Sequence, residues 1–205
     1  MTPETTARRT PPHPPKQLLQ RLRKLKPKTP GQLSWQSAER LAASQASLLV
    51  RDASKSELAV DELIALLPVI RIERIETLPA SGLTFWDTAT RQWVMQICSS
   101  EPPESQRFSI LHEFKHIIDH FDEHDLYEHR YLTRYVQAEM AADHFASRAL
   151  MPAKAVRDAV RTGVESIEAL AFRFDVTHEH AAQRLSDLAL DGITTLTSPE
   201  RRKTT

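Results

Sequence analysis

The sequence predicts an α+β fold in which helices precede and follow a small antiparallel sheet, and three observations point to it. Apolar residues recur at helical spacing up to about residue 67, alternate as in strands between 69 and 98, and return to helical spacing from residue 106. An Asp87-Thr-Ala-Thr90 turn joins two of the alternating runs as a hairpin. Eight of the nine histidines fall between residues 112 and 180, so the chemistry belongs to the helices after the sheet. Helices, then strands, then helices is the order of an α+β chain rather than of an alternating parallel one.

Each element has a local reason. Ser34 stands as an N-cap ahead of a helix reaching about Val50, with Leu41, Leu48 and Leu49 on one side. A second short helix, 57 to 67, stops at Pro68. Ile70 and Ile72 alternate with Arg71 and Glu73 in a half-exposed strand over 69–76. The hairpin arms are Gly82-Leu-Thr-Phe-Trp86 and Arg91 to Cys98, the latter with Trp93, Met95 and Ile97 on one face as core. Phe108, Leu111, Ile117 and Ile118 then mark a helix over 106–121, followed by a charged, His-rich connection to about Arg130. A long helix from about Thr133 to Leu150 ends before Pro152, because the residue before proline disfavours helix. Residues 153–190 read as three short helices broken at Thr162-Gly163 and Asp175-Val176-Thr177.

Composition divides the chain further. The first 30 residues hold eight cations (Arg8, Arg9, Lys16, Arg21, Arg23, Lys24, Lys26, Lys28) against Glu4, and seven of the thirteen prolines. They read as a disordered basic leader, with domains at 31–152 and 153–190 and a disordered tail at 191–205. Cys98 is the one thiol, which rules out a disulfide framework and fits a buried small apolar residue. With no secretory signal and no membrane-length apolar run in view, a cytoplasmic chain is the expectation.

The chemistry begins at His112-Glu113-Phe114-Lys115-His116. On a helix, residues i and i+4 lie about 40° apart and one turn displaced, so both imidazoles can reach one cation at the ~2 Å of zinc–nitrogen bonds. Glu113 projects about 100° from His112, beside such an ion and placed as a general base. His120 cannot be the third ligand, being ~12 Å from His112 along a straight helix. An HExxHxxGxxH site needs Gly at 119 and His at 122, where this chain has Asp119 and Asp122. A carboxylate from a following helix is the remaining common solution. Glu139 and Asp143 lie there at i and i+4 on a stripe with Val136, Ala146 and Leu150. Burying that pair without a partner is costly, and a metal with its histidines would supply one. Glu139 would then ligate, and Asp143 would accept a hydrogen bond from the far nitrogen of His112 or His116. A solvated helix face is the competing account of the same two acids.

These residues resemble the ImmA/IrrE family of metallo-endopeptidases. The likeness rests on Gln106-Arg-Phe-Ser-Ile-Leu-His-Glu-Phe-Lys-His116, Glu139-Met-Ala-Ala-Asp-His-Phe-Ala146 and Leu150-Met-Pro152, extends to Ile167–Thr177 and Ala181–Leu185, and covers roughly residues 35–190. It implies a minimal zincin-like domain of the gluzincin kind, Zn²⁺ held by His112, His116 and Glu139, and Glu113 as catalytic base. It further implies a protein substrate, a helix-turn-helix repressor whose cleavage releases phage, mobile-element or stress genes. Two residues depart from the family pattern. Lys115 stands where a glycine is usual, adding a cation near the site or snorkelling outward, and Asp143 replaces the commoner asparagine.

Other classes of function have their own signals. A non-catalytic regulator would keep the zinc site for stability or sensing. A DNA-binding protein would use the basic arm and the helix-turn-helix cadence of residues 170–185. Against it, residues 165–190 hold Arg173 and Arg184 but Glu165, Glu168, Asp175, Glu179 and Asp187. His120, His124, His129, Tyr127, Tyr131, Tyr135 and His144 are all candidates to steady an oxyanion, whereas His178 and His180 read as surface residues. An extended substrate is expected along a free strand edge near Arg91–Cys98.

Overall fold

The computed structural model describes residues 16–26, 33–120, 122, 126–127 and 132–190. It divides into two compact units, one ending at Ala149 and one beginning at Leu150. Of the expected tails, residues 1–15, 27–30 and 191–205 lie outside the described residues, as do residues 31–32 and His124, His129 and Tyr131.

The first unit is α+β. Helices α1 (Lys16–Arg23), α2 (Trp35–Ser56) and α3 (Val60–Ala65) precede strands β1 (Ile70–Ile75), β2 (Gly82–Asp87) and β3 (Gln92–Cys98). Helices α4 (Pro103–Asp119) and α5 (Arg134–Leu150) follow. Helix α1 corrects the expectation of a disordered leader within residues 16–26. Leu18, Leu19 and Leu22 are buried, and Arg23 donates to the carbonyls of Ile117 (2.7 Å) and Ile118 (3.2 Å) at the end of α4. Three leucines on one face give this basic stretch enough apolar area to order it. Ser34 takes the N-cap position of α2, but its hydroxyl meets that of Ser37 at 3.1 Å rather than a backbone amide.

The sheet order is β1-β3-β2. The hairpin is antiparallel as expected, pairing Thr84 with Met95 and Trp86 with Trp93. Asp87 closes its turn by accepting from the Ala89 amide at 2.9 Å. β1, however, runs parallel to β3, with Ile72 opposite Met95, so the sheet is mixed rather than wholly antiparallel. This order also corrects the expected docking edge, because β3 is the central strand and is paired on both sides. Among the described residues the free edge beside the hairpin belongs to β2. Trp93, Met95 and Ile97 are buried core as expected, together with Ile110, Leu111, Phe114, Ile117 and Ile118 of α4. Each such side chain contributes about 1.5–3 kcal/mol when fully buried, and together they hold α4 against β2 and β3.

In the second unit α6 (Ala153–Arg161), α7 (Ile167–Phe174) and α8 (His178–Asp187) follow the expected breaks. Ser166 and Thr177 cap α7 and α8 by accepting from the Ala169 and His180 amides, each at 3.1 Å. Asp175 ends α7 in the left-handed conformation at φ 53°, which turns the chain directly into α8. Leu170, Ala171, Val176, Ala181 and Leu185 are buried. No helix among the described residues is long and apolar enough to cross a membrane.

Candidate metal centre

Two helices supply the site, and each is placed by its own buried stripe. Helix α4 opens with proline at its first turn, where the missing amide costs nothing. It turns its apolar face to the sheet and leaves His112 and His116 half-buried on one flank. Helix α5 buries Ala141, Ala142, Phe145 and Ala146, and Phe145 meets Phe114 of α4 at 6.3 Å between ring centres. That contact brings the half-exposed turn carrying Glu139 and Asp143 over the histidines.

The three candidate ligands converge. His112 Nε2 and His116 Nε2 are 3.1 Å apart. Glu139 Oε2 is 3.2 Å from the first and Oε1 is 3.4 Å from the second. Three donors of a tetrahedral site with bonds near 2.0–2.1 Å stand about 3.3 Å from one another. The observed separations lie near that value, with one carboxylate oxygen toward each imidazole, and the donor set of two imidazoles and one carboxylate suits a divalent cation of zinc's kind. Among the described residues this is the group of three able to hold an ion.

Asp143 Oδ1 lies 2.8 Å from His112 Nδ1. An Nδ1–H donated to this carboxylate leaves the Nε2 lone pair facing Glu139 and His116, the tautomer that ligation requires. Burial pulls the His112 pKa down, but the Asp143 hydrogen bond and the charges of Asp143, Glu113 and Glu139 outweigh it, and the net shift is upward. Burial, reinforced by the neighbouring His112, takes His116 the other way, down to about 4, so it is neutral at physiological pH.

Glu113 leaves the ligand group and turns toward β2. It is 8% exposed, and burial raises its pKa, opposed by His112 and by the Thr84 hydroxyl. That hydroxyl is itself buried and favours the carboxylate without closing a hydrogen bond of ordinary geometry. Gly82 is in closer contact. A Cβ built there would come within 3.0 Å of Glu113 Cγ and 3.1 Å of Oε1. Sequence reasoning missed both β2 residues, although a glycine at the start of a strand is a recognised sign of close backbone approach.

The remaining candidates lie elsewhere. His120 is exposed and sits edge-on to Trp93 at 4.5 Å, outside the ligand group, as its spacing required. His144 turns to α2, with Nε2 3.0 Å from Glu39 Oε1 and its ring edge-on to Trp35. The Tyr127 hydroxyl is engaged by Asp119 at 2.6 Å. Tyr135 is 72% exposed on α5, one turn before Glu139. Lys115 does not snorkel outward. It is 1% exposed and ion-paired with Asp119. Cys98 is buried, as expected.

A family model described as Peptidase_M78, IrrE N-terminal-like domain, matches residues 68–186, more than half of the chain. Among solved structures, that of a Mycobacterium tuberculosis transcriptional regulator superposes with a TM-score of 0.53 at 19% identity, over 90% of this chain and 54% of that one. The present chain thus spans about half the length of that protein, and the likeness is one of fold. No curated protein matches the sequence.

Proposed function

The chain belongs to the Peptidase_M78 family, by its IrrE N-terminal-like domain, and from that membership we propose that it is a zinc-dependent endopeptidase whose substrate is a helix-turn-helix repressor. The observation that carries the reading is the convergence of His112 Nε2, His116 Nε2 and the Glu139 carboxylate from two separate helices, within 4.8 Å of one another, with Glu113 beside them.

In this reading His112, His116 and Glu139 hold the ion, and Asp143 keeps the His112 ring in its ligating tautomer. Zinc, when bound, supplies Lewis acidity, which acidifies water toward a pKa of ~7 and polarises a carbonyl. Glu113 takes the proton from the attacking water and returns it to the leaving amine nitrogen. Its burial favours both steps, since a carboxylate with a raised pKa is a better base and can also hold the proton in transit. Gly82, by carrying no side chain, leaves room for that carboxylate, and Thr84 favours its charged form.

The edge of β2 offers a way to align a peptide. The Cys98 amide donates to the Ser81 carbonyl at 2.9 Å. Alternation along an antiparallel pair therefore gives 83–96 and 85–94 as the bonded pairs and turns the amides and carbonyls of Gly82, Thr84 and Trp86 outward. An extended segment pairing with these groups would run past Glu113, held by main-chain hydrogen bonds. That the similar solved structure is of a transcriptional regulator supports a place for this chain in gene control.

The test is to incubate the zinc-loaded protein with purified helix-turn-helix repressors from the same genome, first any encoded beside its gene, and to map products by mass spectrometry. Wild-type protein should cut at one bond, chelated protein should not, and Glu113→Gln should bind zinc without cutting. Full turnover by Glu113→Gln would reject the assignment.

A further inference from the structure

Behind the ligands, three side chains without a part in the chemistry above form a buried polar cluster. Lys115 is ion-paired with Asp119, one turn along α4, and the Tyr127 hydroxyl donates to the same Asp119 Oδ2 at 2.6 Å. All three residues are 2% exposed or less. Lys115 and Asp119 bracket His116 in sequence, so the cluster grips the turn of α4 that carries the second histidine.

The other end of Tyr127 reaches α5. Its ring belongs to a core cluster with Ala38 and Leu41 of α2, Leu126, and Ala141 of α5, and Ala138 packs against the same cluster. Ala138 immediately precedes Glu139 and Ala141 follows two residues later. One side chain therefore bonds to the helix of the histidines through its hydroxyl and belongs to the apolar cluster that holds the turn of the carboxylate. The Phe114–Phe145 contact also joins α4 to α5, but an apolar pair tolerates sliding that a short hydroxyl–carboxylate bond does not.

Energetics make this cluster hard to explain as a stabiliser. Desolvating an ammonium and a carboxylate offsets most of their attraction, and well-packed apolar replacements of such pairs are often neutral or stabilising. What the charges add is a fixed geometry. We propose that Lys115, Asp119 and Tyr127 are positioning residues that set the spacing of α4 and α5, and with it the convergence of His112 and His116 on Glu139. This rests on the reading of those three residues as metal ligands.

The experiment compares the full-length wild-type chain with Tyr127→Phe and with the apolar triple variant Lys115→Met/Asp119→Leu/Tyr127→Phe. Thermal midpoint, zinc affinity by chelator competition and the visible spectrum of the cobalt-loaded form are measured for each. The triple variant should melt at or above the wild-type temperature yet bind zinc roughly 10-fold more weakly, with a shifted cobalt band. Tyr127→Phe should move affinity and spectrum in the same direction, and it decides the matter if the triple variant does not fold. Wild-type affinity together with a wild-type cobalt band in either folded variant would overturn the proposal. Wild-type protein that takes up neither metal would instead overturn the metal-centre reading, and the proposal with it.

Discussion

Asp143 Oδ1 and His112 Nδ1 stand 2.8 Å apart across two helices, so the acid on α5 sets the tautomer of a ring on α4. Asp143→Ala should weaken zinc binding by about 10–100-fold, the usual cost of losing a group that orients a ligating imidazole. Asp143→Asn keeps a carbonyl oxygen able to accept from Nδ1–H and should retain most of the affinity. Competition against a chromophoric chelator measures both, and equal losses in the two variants would mean that charge, not ring orientation, is what Asp143 supplies.

Gly82 makes a prediction that separates positioning from binding. Its φ is not in the left-handed region, so alanine fits the local backbone. The added methyl would meet Glu113 at 3.0 Å, and Glu113 must move. Gly82→Ala should therefore lower kcat by about 10-fold or more, since displacements below 1 Å matter to a reacting group. Zinc affinity and KM should stay near wild type, because the ligands and the β2 edge are untouched. A parallel fall in zinc affinity would show that the ligand helix, rather than the base, had shifted.

Local periodicity made much of this legible. His112 and His116 fall on one flank of α4 because four residues make about one turn, and Glu139 with Asp143 repeats that spacing on α5. Where pairing depends on distant residues, the sequence was silent. Nothing near Ile70–Ile75 says that this strand runs parallel to β3, and so nothing revealed that β3 lies in the middle and β2 at the edge. Leu18, Leu19 and Leu22 were hidden by the average of a basic, proline-rich stretch, and their face became visible only with α4 beside it. Lys115 misled for a related reason. Its partners Asp119 and Tyr127 meet it only in the folded chain.

The metal-free protein should lose stability as pH falls from about 6.5 to about 4. His116 titrates near its ordinary value when unfolded and at about 4 when folded. A folded pKa lowered in this way gives stability that is present above the unfolded value and lost as pH falls toward the folded one, roughly 3 kcal/mol in all. His112, whose folded pKa is raised, acts in the opposite sense and reduces the net slope. Urea midpoints of chelated protein at pH 7 and pH 4.5 measure the loss. His116→Gln should show a smaller difference between the two pH values, and an unchanged difference would place the acid sensitivity in other groups.

Arg23 tests whether α1 is structural. Its guanidinium donates to two carbonyls, of Ile117 and Ile118, in the last turn of α4, where backbone acceptors have no partner further along the helix. A cation at a helix C-terminus is favoured by the helix dipole as well. Arg23→Ala removes both hydrogen bonds and should cost about 2 kcal/mol, the middle of the range for a bond to a charged group once its buried acceptors are left behind. Arg23→Lys keeps the charge but loses the fork that reaches two carbonyls at once, and should recover part of that cost. His116 lies one residue before Ile117, so fraying of this turn should also loosen the second ligand and weaken zinc binding, and zinc should protect the variant from urea less than it protects wild type. Equal protection of both proteins would confine the role of Arg23 to α1 itself.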